Sequence, residues 1–296
     1  MTDLDGVLDG VLATIDGWGA DHAAAAVIGP AGVLAMRGDA TRRYRWTSVT
    51  KLATALVALI AAERGLLDLD EPAGPPGSTV RHLLAHASGL PFEGQRTLAA
   101  PGTRRIYSNI GFDVLGTLVE ERAGAPFAAA LESWVLAPLG MDATVLHERA
   151  SQGLYGPLDD LIAFARELQR PTLLATDAFA EATTIAFPGL VGVLPGVGRF
   201  DPCDWALGFE LHDAKTPHWM AEANSPETFG HFGGSGSFAW VDPVAGLAVV
   251  TLTDRDYGPW ALEAWPAFSA AVLKAAAVER MRRDPRPSAV RSQSMY

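Results

Sequence analysis

Residues 46–65 read WTSVTKLATALVALIAAERG, and this segment decides the fold. Nearly every position from Leu52 to Ala62 is apolar, so the pattern predicts a helix that is hydrophobic on all sides and buried at the centre of the protein. Gly65 suits the position just after the helix, where a left-handed backbone is common. Thr47 or Ser48 is placed to cap the helix N-terminus.

Strand patterns lie on both sides of this helix in the sequence. Before it, Ala23 to Ile28 and Val33 to Met36 read as two strands joined by a Gly-Pro-Ala-Gly turn. Near the end of the chain, the strand patterns are Trp205 to His212, Gly236 to Val241, and Leu247 to Thr253. Strands at both ends of a chain whose middle is helical predict one sheet assembled from both termini.

Short helical patterns separated by Pro and Gly fill the middle of the chain. The clearest are Val114 to Glu121, Phe127 to Leu136 and Leu158 to Leu168, and a closing helix is expected from about Pro266 to Met281. We therefore predict an α/β (α+β) protein with an antiparallel sheet flanked by helices. Residues 1–67 and 204–281 would form the α/β lobe, residues 68–203 a mostly helical lobe, and residues 282–296 a disordered tail.

Composition excludes several classes of protein. The 296 residues are 49% hydrophobic and 19% charged, which is typical of a globular protein and not of a disordered one. A net charge of −11 disfavours nucleic acid as a partner. Cys203 is the single cysteine, the N-terminus is acidic, and the apolar stretch from Leu52 to Ala62 is short of the roughly 20 residues that span a bilayer. We expect a cytoplasmic protein without a membrane partner.

The first candidate for chemistry is Ser48-Val49-Thr50-Lys51. Positions i and i+3 share a helix face, so the Lys51 amine can reach the Ser48 hydroxyl. A neighbouring amine that desolvation keeps neutral can serve as the base for a weak serine nucleophile. The motif also fits a capped helix start with a solvated lysine, but Lys51 is one of three lysines, with Lys215 and Lys274, and it heads a helix that is too apolar for the surface.

Two further segments carry suitable groups. In Tyr107-Ser108-Asn109, the phenol can pass a proton to a leaving group, and the Asn109 amide can donate to a substrate carbonyl and accept from a lysine. His231-Phe232-Gly233-Gly234 precedes a strand, and its glycines let a substrate lie against the strand edge with a free N–H as oxyanion donor. Each segment also fits an ordinary turn, the second as a glycine-rich hairpin or bulge.

Together, the ordered motifs Ser-x-x-Lys, Tyr-x-Asn and His-x-Gly resemble those of the class C β-lactamase and penicillin-binding-protein-like serine hydrolases, which include many esterases and D-stereospecific peptidases. The resemblance covers roughly residues 20 to 255. It is supported by residues 65–70 (GLLDLD), 80–91 (VRHLLAHASGLP), 138–141 (PLGM) and 153–156 (GLYG).

The resemblance implies the β-lactamase/penicillin-binding-protein-like fold and a role for each matching residue. Ser48 would be the acylated nucleophile, Lys51 its activating base and Tyr107 a proton relay. Asn109 would position the substrate, His231 would line the cleft with Gly233, and the backbone N–H groups of Ser48 and Gly234 would form the oxyanion hole. The implied enzyme is a hydrolase that acts on a small-molecule ester, amide or lactam and needs no metal or organic cofactor.

In the lactamases of this family the third motif begins with Lys, and this sequence departs from them at that position. His231 stands there and is expected to be only partly protonated near neutral pH, while Phe232 would narrow the cleft. These departures favour ester cleavage; a β-lactamase or a D-alanyl or D-amino acid peptidase is the alternative, and a catalytically silent ligand-binding protein is a second. The natural substrate and the oligomeric state do not follow from the sequence.

A pair of histidines offers a further spacing to weigh. His82 and His86 lie four residues apart, which suits two metal ligands on one helix face. The pair lacks the adjacent Glu of a zinc protease, so a structural role is expected for both.

Overall fold

A six-stranded antiparallel sheet forms the frame of the protein, in a computed structural model that describes residues 3–283. The strand order is β2-β1-β12-β11-β10-β9. The strands are β1 (Ala23–Gly29), β2 (Gly32–Arg37), β9 (Glu210–Leu211), β10 (Phe229–Gly233), β11 (Ser237–Asp242) and β12 (Leu247–Thr253). The first strands therefore pair with the last, with Ala23 opposite Thr253, which agrees with the prediction of one sheet assembled from both termini.

Two small sheets lie outside this frame. One has the order β3-β6-β5, from β3 (Arg43–Arg45), β5 (Val145–Leu146) and β6 (Leu154–Pro157). The other has the order β4-β7-β8, from β4 (Arg105–Ile106), β7 (Gly192–Leu194) and β8 (Gly198–Phe200). The middle of the chain thus contains short strands as well as the predicted helices. The proposed lobe boundaries stay a prediction.

Eight helices complete the described chain. They are α1 (Asp3–Leu12), α2 (Thr50–Glu63), α3 (Val80–Leu84), α4 (Asn109–Ala123), α5 (Phe127–Leu131), α6 (Leu158–Gln169), α7 (Thr176–Ala182) and α8 (Pro259–Arg283). All residues of α2 from Thr50 to Ala61 are buried, so the prediction of a central helix is confirmed. Gly65 follows α2 with φ 68°, the left-handed conformation expected after its end.

The start of α2 differs from the prediction. A 3₁₀ turn, Thr47–Val49, precedes the helix, and neither Thr47 nor Ser48 makes a side-chain capping bond. The prediction that one of them caps the helix is therefore wrong. The physical reason is a long-range contact. The Thr47 hydroxyl accepts a hydrogen bond from Ser235 N at 3.2 Å instead of from a backbone N–H of the helix.

Other boundaries were shifted by tertiary context. The strand predicted from Trp205 to His212 is reduced to Glu210–Leu211, and β10 was not predicted as a strand. Glycines and a histidine depress strand propensity in β10, yet pairing with β11 over five positions holds it in the sheet. The helix predicted from Phe127 to Leu136 continues from α5 into a π-helical turn, Glu132–Leu136.

The closing helix α8 is longer than predicted and contains Pro266. Its segment Pro259–Val278 is long and apolar enough to cross a membrane by length and composition alone. Trp265, Phe268 and Val272 are buried in a core cluster shared with residues of the main sheet. The predicted tail lies outside the described residues from residue 284 onward.

Candidate active site

Ser48 lies in the 3₁₀ turn Thr47–Val49, immediately before α2. Its neighbour Thr47 has φ 45°, a strained value for a β-branched residue. Bonds that hold this conformation run from the Thr47 hydroxyl to Trp46 O (2.8 Å) and from Ser235 N to the same hydroxyl (3.2 Å). Strain of this kind collects at functional sites and persists because the surroundings hold it.

The Lys51 amine lies beside Ser48 and is fully buried. Its Nζ is 3.3 Å from Ser48 Oγ, 2.6 Å from Asn109 Oδ1 and 2.9 Å from Ser151 O. Burial lowers the pKa of Lys51 to about 7, and the nearby charges of Asp113 and Arg149 act in opposite directions on it. A large fraction of the molecules therefore carry a neutral amine near neutral pH.

The partners of Nζ determine what the neutral amine can do. A neutral amine has two N–H groups and one lone pair, and the carbonyl oxygens of Asn109 and Ser151 only accept. The Asn109 amide is oriented because its Nδ2 donates to a Glu93 oxygen at 2.9 Å. When both N–H groups of Lys51 are donated to these oxygens, the lone pair is left for the Ser48 hydroxyl.

Tyr107 lies against the same pair of residues. Its ring centroid is 4.8 Å from Lys51 Nζ, and its hydroxyl is 3.2 Å from His231 Nε2. Burial raises the pKa of Tyr107 well above its usual value, although a hydrogen bond with Ser48 opposes the rise. The phenol therefore stays protonated at neutral pH and can donate a hydrogen bond.

His231 is buried and neutral. Its Nδ1 is 2.6 Å from Phe232 O, a carbonyl that only accepts, so Nδ1 carries the proton and Nε2 accepts from the Tyr107 hydroxyl. Burial lowers the pKa of His231 to about 4. The expected partial charge at neutral pH is thus absent, because the ring is taken out of water and has no carboxylate partner among its hydrogen bonds.

The glycines of the third motif allow β10 to approach the serine turn. A Cβ on Gly233 would lie 2.4 Å from Trp46 O and 2.2 Å from Thr47 Oγ1, so only glycine fits there. Gly234 faces open space, and its carbonyl accepts from Tyr257 N at 2.9 Å. This close approach brings the end of β10 to the Ser48 turn, where the predicted oxyanion hole would lie.

Phe232 does not have the predicted position. Side chains alternate along a strand, and Phe232 packs with Tyr257, Trp219 and Trp265 at centroid distances of 4.8, 5.5 and 5.8 Å. It belongs to the aromatic core beneath α8 and not to the cleft wall. The expectation that it narrows the cleft is wrong, because the alternation that places His231 beside Tyr107 turns Phe232 away.

Sequence reasoning gave His86 a structural role but did not connect this residue with the site. His86 accepts from Ser108 N at 3.1 Å, and its ring lies 4.6 Å from the Tyr107 ring, so it fixes the Tyr107 segment. His82 instead bonds Thr79 at the start of α3, and His86 lies beyond the end of that helix at Leu84, so the two histidines do not form one helix face. No group of three or more metal-binding side chains occurs in residues 3–283.

Glu93, Asp113 and Arg149 were missed as well. Arg149 donates to Glu93 at 3.0 Å and to Asp113 at 2.7 Å, and Asp113 accepts from Ser151 N at 3.2 Å. They come from separate segments of the chain, and charged residues at such positions look like an ordinary solvated surface. Lys51 contacts the backbone carbonyl of Ser151. Because every residue has such a carbonyl, residue type cannot predict this contact.

The structure thus brings together Ser48, Lys51, Tyr107, Asn109 and His231, with Gly233 and Gly234 at the adjacent strand end. Their individual roles stay predictions. Lys51 and Asn109 are in direct contact, as are Tyr107 and His231, although these residues are distant in sequence. The three sequence motifs therefore form one spatial site.

Comparison with known proteins agrees with this arrangement. A solved β-lactamase from Mycobacterium bovis is 53% identical, with a TM-score of 0.88 over 90% of this chain and 99% of that one. Esterase EstB of Burkholderia gladioli is 33% identical over 33% of this chain and 37% of its own length. Penicillin-binding protein 4* of Bacillus subtilis is 27% identical over 36% of this chain and 31% of its own length.

The matches to these two curated proteins therefore span only about a third of their lengths, so their activities are not transferred with the match. The family model described as Beta-lactamase matches residues 19–274, which is most of the sequence and includes every motif of the site. The fold, the ordered motifs and this match agree, and the chain belongs to the Beta-lactamase family.

Proposed function

We propose that the protein is a serine hydrolase that cleaves an ester bond of a small molecule through an acyl-enzyme on Ser48. The observation that carries this proposal is the contact of Ser48 Oγ with a fully buried lysine amine whose other two neighbours are obligate acceptors. A structural lysine has no need of a free lone pair directed at a hydroxyl. This one is arranged as a base.

The first step forms a bond between Ser48 Oγ and the substrate carbonyl carbon. The hydroxyl proton moves to Lys51 Nζ, and the carbonyl oxygen becomes an oxyanion held by the backbone N–H groups of Ser48 and Gly234. The C–O bond to the leaving alcohol then breaks, and the alcohol takes up a proton relayed from Lys51 through Tyr107. Water attacks the acyl-enzyme in the same manner and releases the acid and free Ser48.

Charge favours an ester over a substrate that must be held by its carboxylate. His231 occupies the position from which a cation would pair with the carboxylate of a β-lactam or a D-alanyl peptide, and its neutral ring supplies no charge near pH 7. The Glu93 carboxylate also lies beside Asn109 at the site. Both features weaken the binding of a substrate through an anionic group. An uncharged ester does not have to be bound through such a group.

The test is hydrolysis of a short-chain p-nitrophenyl ester, together with labelling by a fluorophosphonate probe. We expect release of p-nitrophenol, one adduct on Ser48 by mass spectrometry, and loss of both in Ser48→Ala. Thr54→Ser, a conservative change further along α2, is the matched control and should retain turnover. An adduct at another residue, or no adduct on a folded protein, would overturn the proposal.

Nitrocefin separates ester cleavage from lactam cleavage. We expect slow or undetectable opening of nitrocefin by a preparation that turns over the ester. Faster turnover of nitrocefin than of the ester would replace the esterase proposal by the β-lactamase alternative. Cytoplasmic location and a lack of nucleic-acid and membrane partners stay predictions from the sequence.

A further inference from the structure

Two of the three oxygen atoms around Lys51 are themselves held by carboxylates. Asn109 Oδ1 is oriented through the bond from Asn109 Nδ2 to Glu93 (2.9 Å), and the residue that carries Ser151 O is held through the bond from Ser151 N to Asp113 (3.2 Å). Arg149 joins the two carboxylates, with bonds to Glu93 at 3.0 Å and to Asp113 at 2.7 Å. Glu93, Arg149 and Asp113 are called the ionic clasp below.

The clasp reaches the site from three separate segments. Asp113 lies on α4, one turn after Asn109, while Arg149 and Ser151 belong to the loop before β6. Glu93 follows Phe92, whose carbonyl accepts from Asn109 N at 3.2 Å and whose ring stacks on Tyr107 at 5.9 Å. The clasp therefore closes the segments that carry both acceptors of Lys51 around a single guanidinium.

We propose that the ionic clasp is a positioning device that keeps the lone pair of Lys51 directed at Ser48 and that its charges adjust the pH at which Lys51 loses its proton. This inference rests on the proposed function for its catalytic consequence. Without Glu93, the Asn109 amide is free to turn its Nδ2 toward Lys51, and the lysine then faces a donor instead of an acceptor. The clasp touches no reacting atom, so its members are positioning residues.

Charge supplies a second, opposed effect of the same residues. Glu93 and Asp113 favour the protonated form of Lys51, and Arg149 disfavours it. Removing the Glu93 charge should move the deprotonation of Lys51 to lower pH, and removing the Arg149 charge should move it to higher pH. The Glu93 side chain is 46% exposed and the Arg149 side chain is 38% exposed, so water partly screens both charges. We therefore expect the midpoint of Lys51 deprotonation to shift by about 0.5 pH unit in each direction.

The decisive measurement is an NMR titration of protein labelled with ¹³C at the lysine side chains. The three lysines Lys51, Lys215 and Lys274 give few signals, and Lys51 is assigned by its loss in Lys51→Arg. Glu93→Gln should lower the midpoint of the Lys51 titration and Arg149→Met should raise it. Arg122 lies on α4, the helix that also carries Asp113, and forms an ion pair with Glu71. Arg122→Met breaks that pair and is the control, which should leave the midpoint unchanged.

Turnover of the p-nitrophenyl ester tests the positioning effect. Glu93→Ala should lower kcat by about 10-fold with KM changed by less than about 3-fold, since a misdirected base affects the chemical step. Glu93→Gln keeps an acceptor oxygen for Asn109 and should restore most of kcat. The ascending limb of its pH–rate profile should move together with the NMR midpoint.

Shifts in the same direction for Glu93→Gln and Arg149→Met, or shifts no larger than that of Arg122→Met, would overturn the clasp. Should Arg149→Met fail to fold, the half-exposed Glu93→Gln alone decides, because an unmoved midpoint contradicts the inference. Opposed NMR shifts in Glu93→Gln and Arg149→Met, combined with no ester turnover by the wild-type protein, would refute the proposed function and leave the clasp inference standing.

Discussion

Two buried lysines of this protein differ in what surrounds their amines. Lys51 and Lys215 are both almost fully buried, and burial lowers the pKa of each. Lys215 Nζ donates to Asp204 O at 2.7 Å and to Leu211 O, which are both backbone carbonyls. Lys51 also donates to two carbonyl oxygens, but its third neighbour is the Ser48 hydroxyl.

A lysine whose pKa is lowered by burial is therefore not by itself a base for catalysis. Glu210, buried near Lys215, already accepts from His218 Nε2 at 2.7 Å and from Trp219 Nε1 at 2.9 Å. The Lys215 region is a network of buried polar groups that ties β9 to the following loop. At Lys51, the same burial is combined with a serine hydroxyl 3.3 Å from the amine, and the proposed function rests on that combination.

The largest expected effect separates the two lysines by activity. Lys51→Met should lower kcat for the p-nitrophenyl ester by about 1,000-fold or more, because the base is lost while an apolar side chain still fills the pocket. Lys215→Met should retain kcat within about 3-fold. Steady-state kinetics on both variants, with circular dichroism to confirm folding, checks the pair. Similar losses in the two would erase the distinction between the regions.

A smaller effect tests whether the amine and hydroxyl are sufficient without the phenol. Tyr107→Phe removes the hydroxyl that donates to His231 and contacts Ser48 but keeps the ring, so we expect kcat to fall by about 100-fold. The fluorophosphonate adduct on Ser48 should still form, though more slowly. Tyr44→Phe, a buried tyrosine on β3, is the control. Unchanged kcat in Tyr107→Phe would remove the phenol from the proton path.

The smallest expected effect concerns the stability of the protein, and here Lys215 is the lysine whose replacement matters. Lys215→Met leaves the buried carbonyls of Asp204 and Leu211 without this donor, which should lower the free energy of unfolding by about 2 kcal/mol. Urea unfolding measures the loss, and Lys274→Met, a change at an exposed position of α8, gives the baseline. A Lys215 variant as stable as that baseline would contradict a structural role for the amine.

Local pattern was sufficient to predict much of the fold. Leu247–Thr253 was predicted as a strand with the bounds that β12 has, because a short run rich in Val, Leu and Thr that follows a turn is typical of a buried strand. The strand Phe229–Gly233 was missed, since glycine-rich residues join a sheet only when neighbouring strands supply their hydrogen-bond partners. Residue type also could not reveal that His231 is neutral, since its charge depends on burial and on the Phe232 carbonyl.

The amino-acid sequence by itself determined the central apolar helix and the placement of Ser48 and Lys51 three residues apart at its start, because helical periodicity is a property of neighbouring residues. Which oxygens surround the amine depends on tertiary structure, since Ser151 O, Asn109 and the clasp come from segments 42 to 100 residues away. Contacts between such distant segments form only when the whole core packs, so no local pattern encodes them.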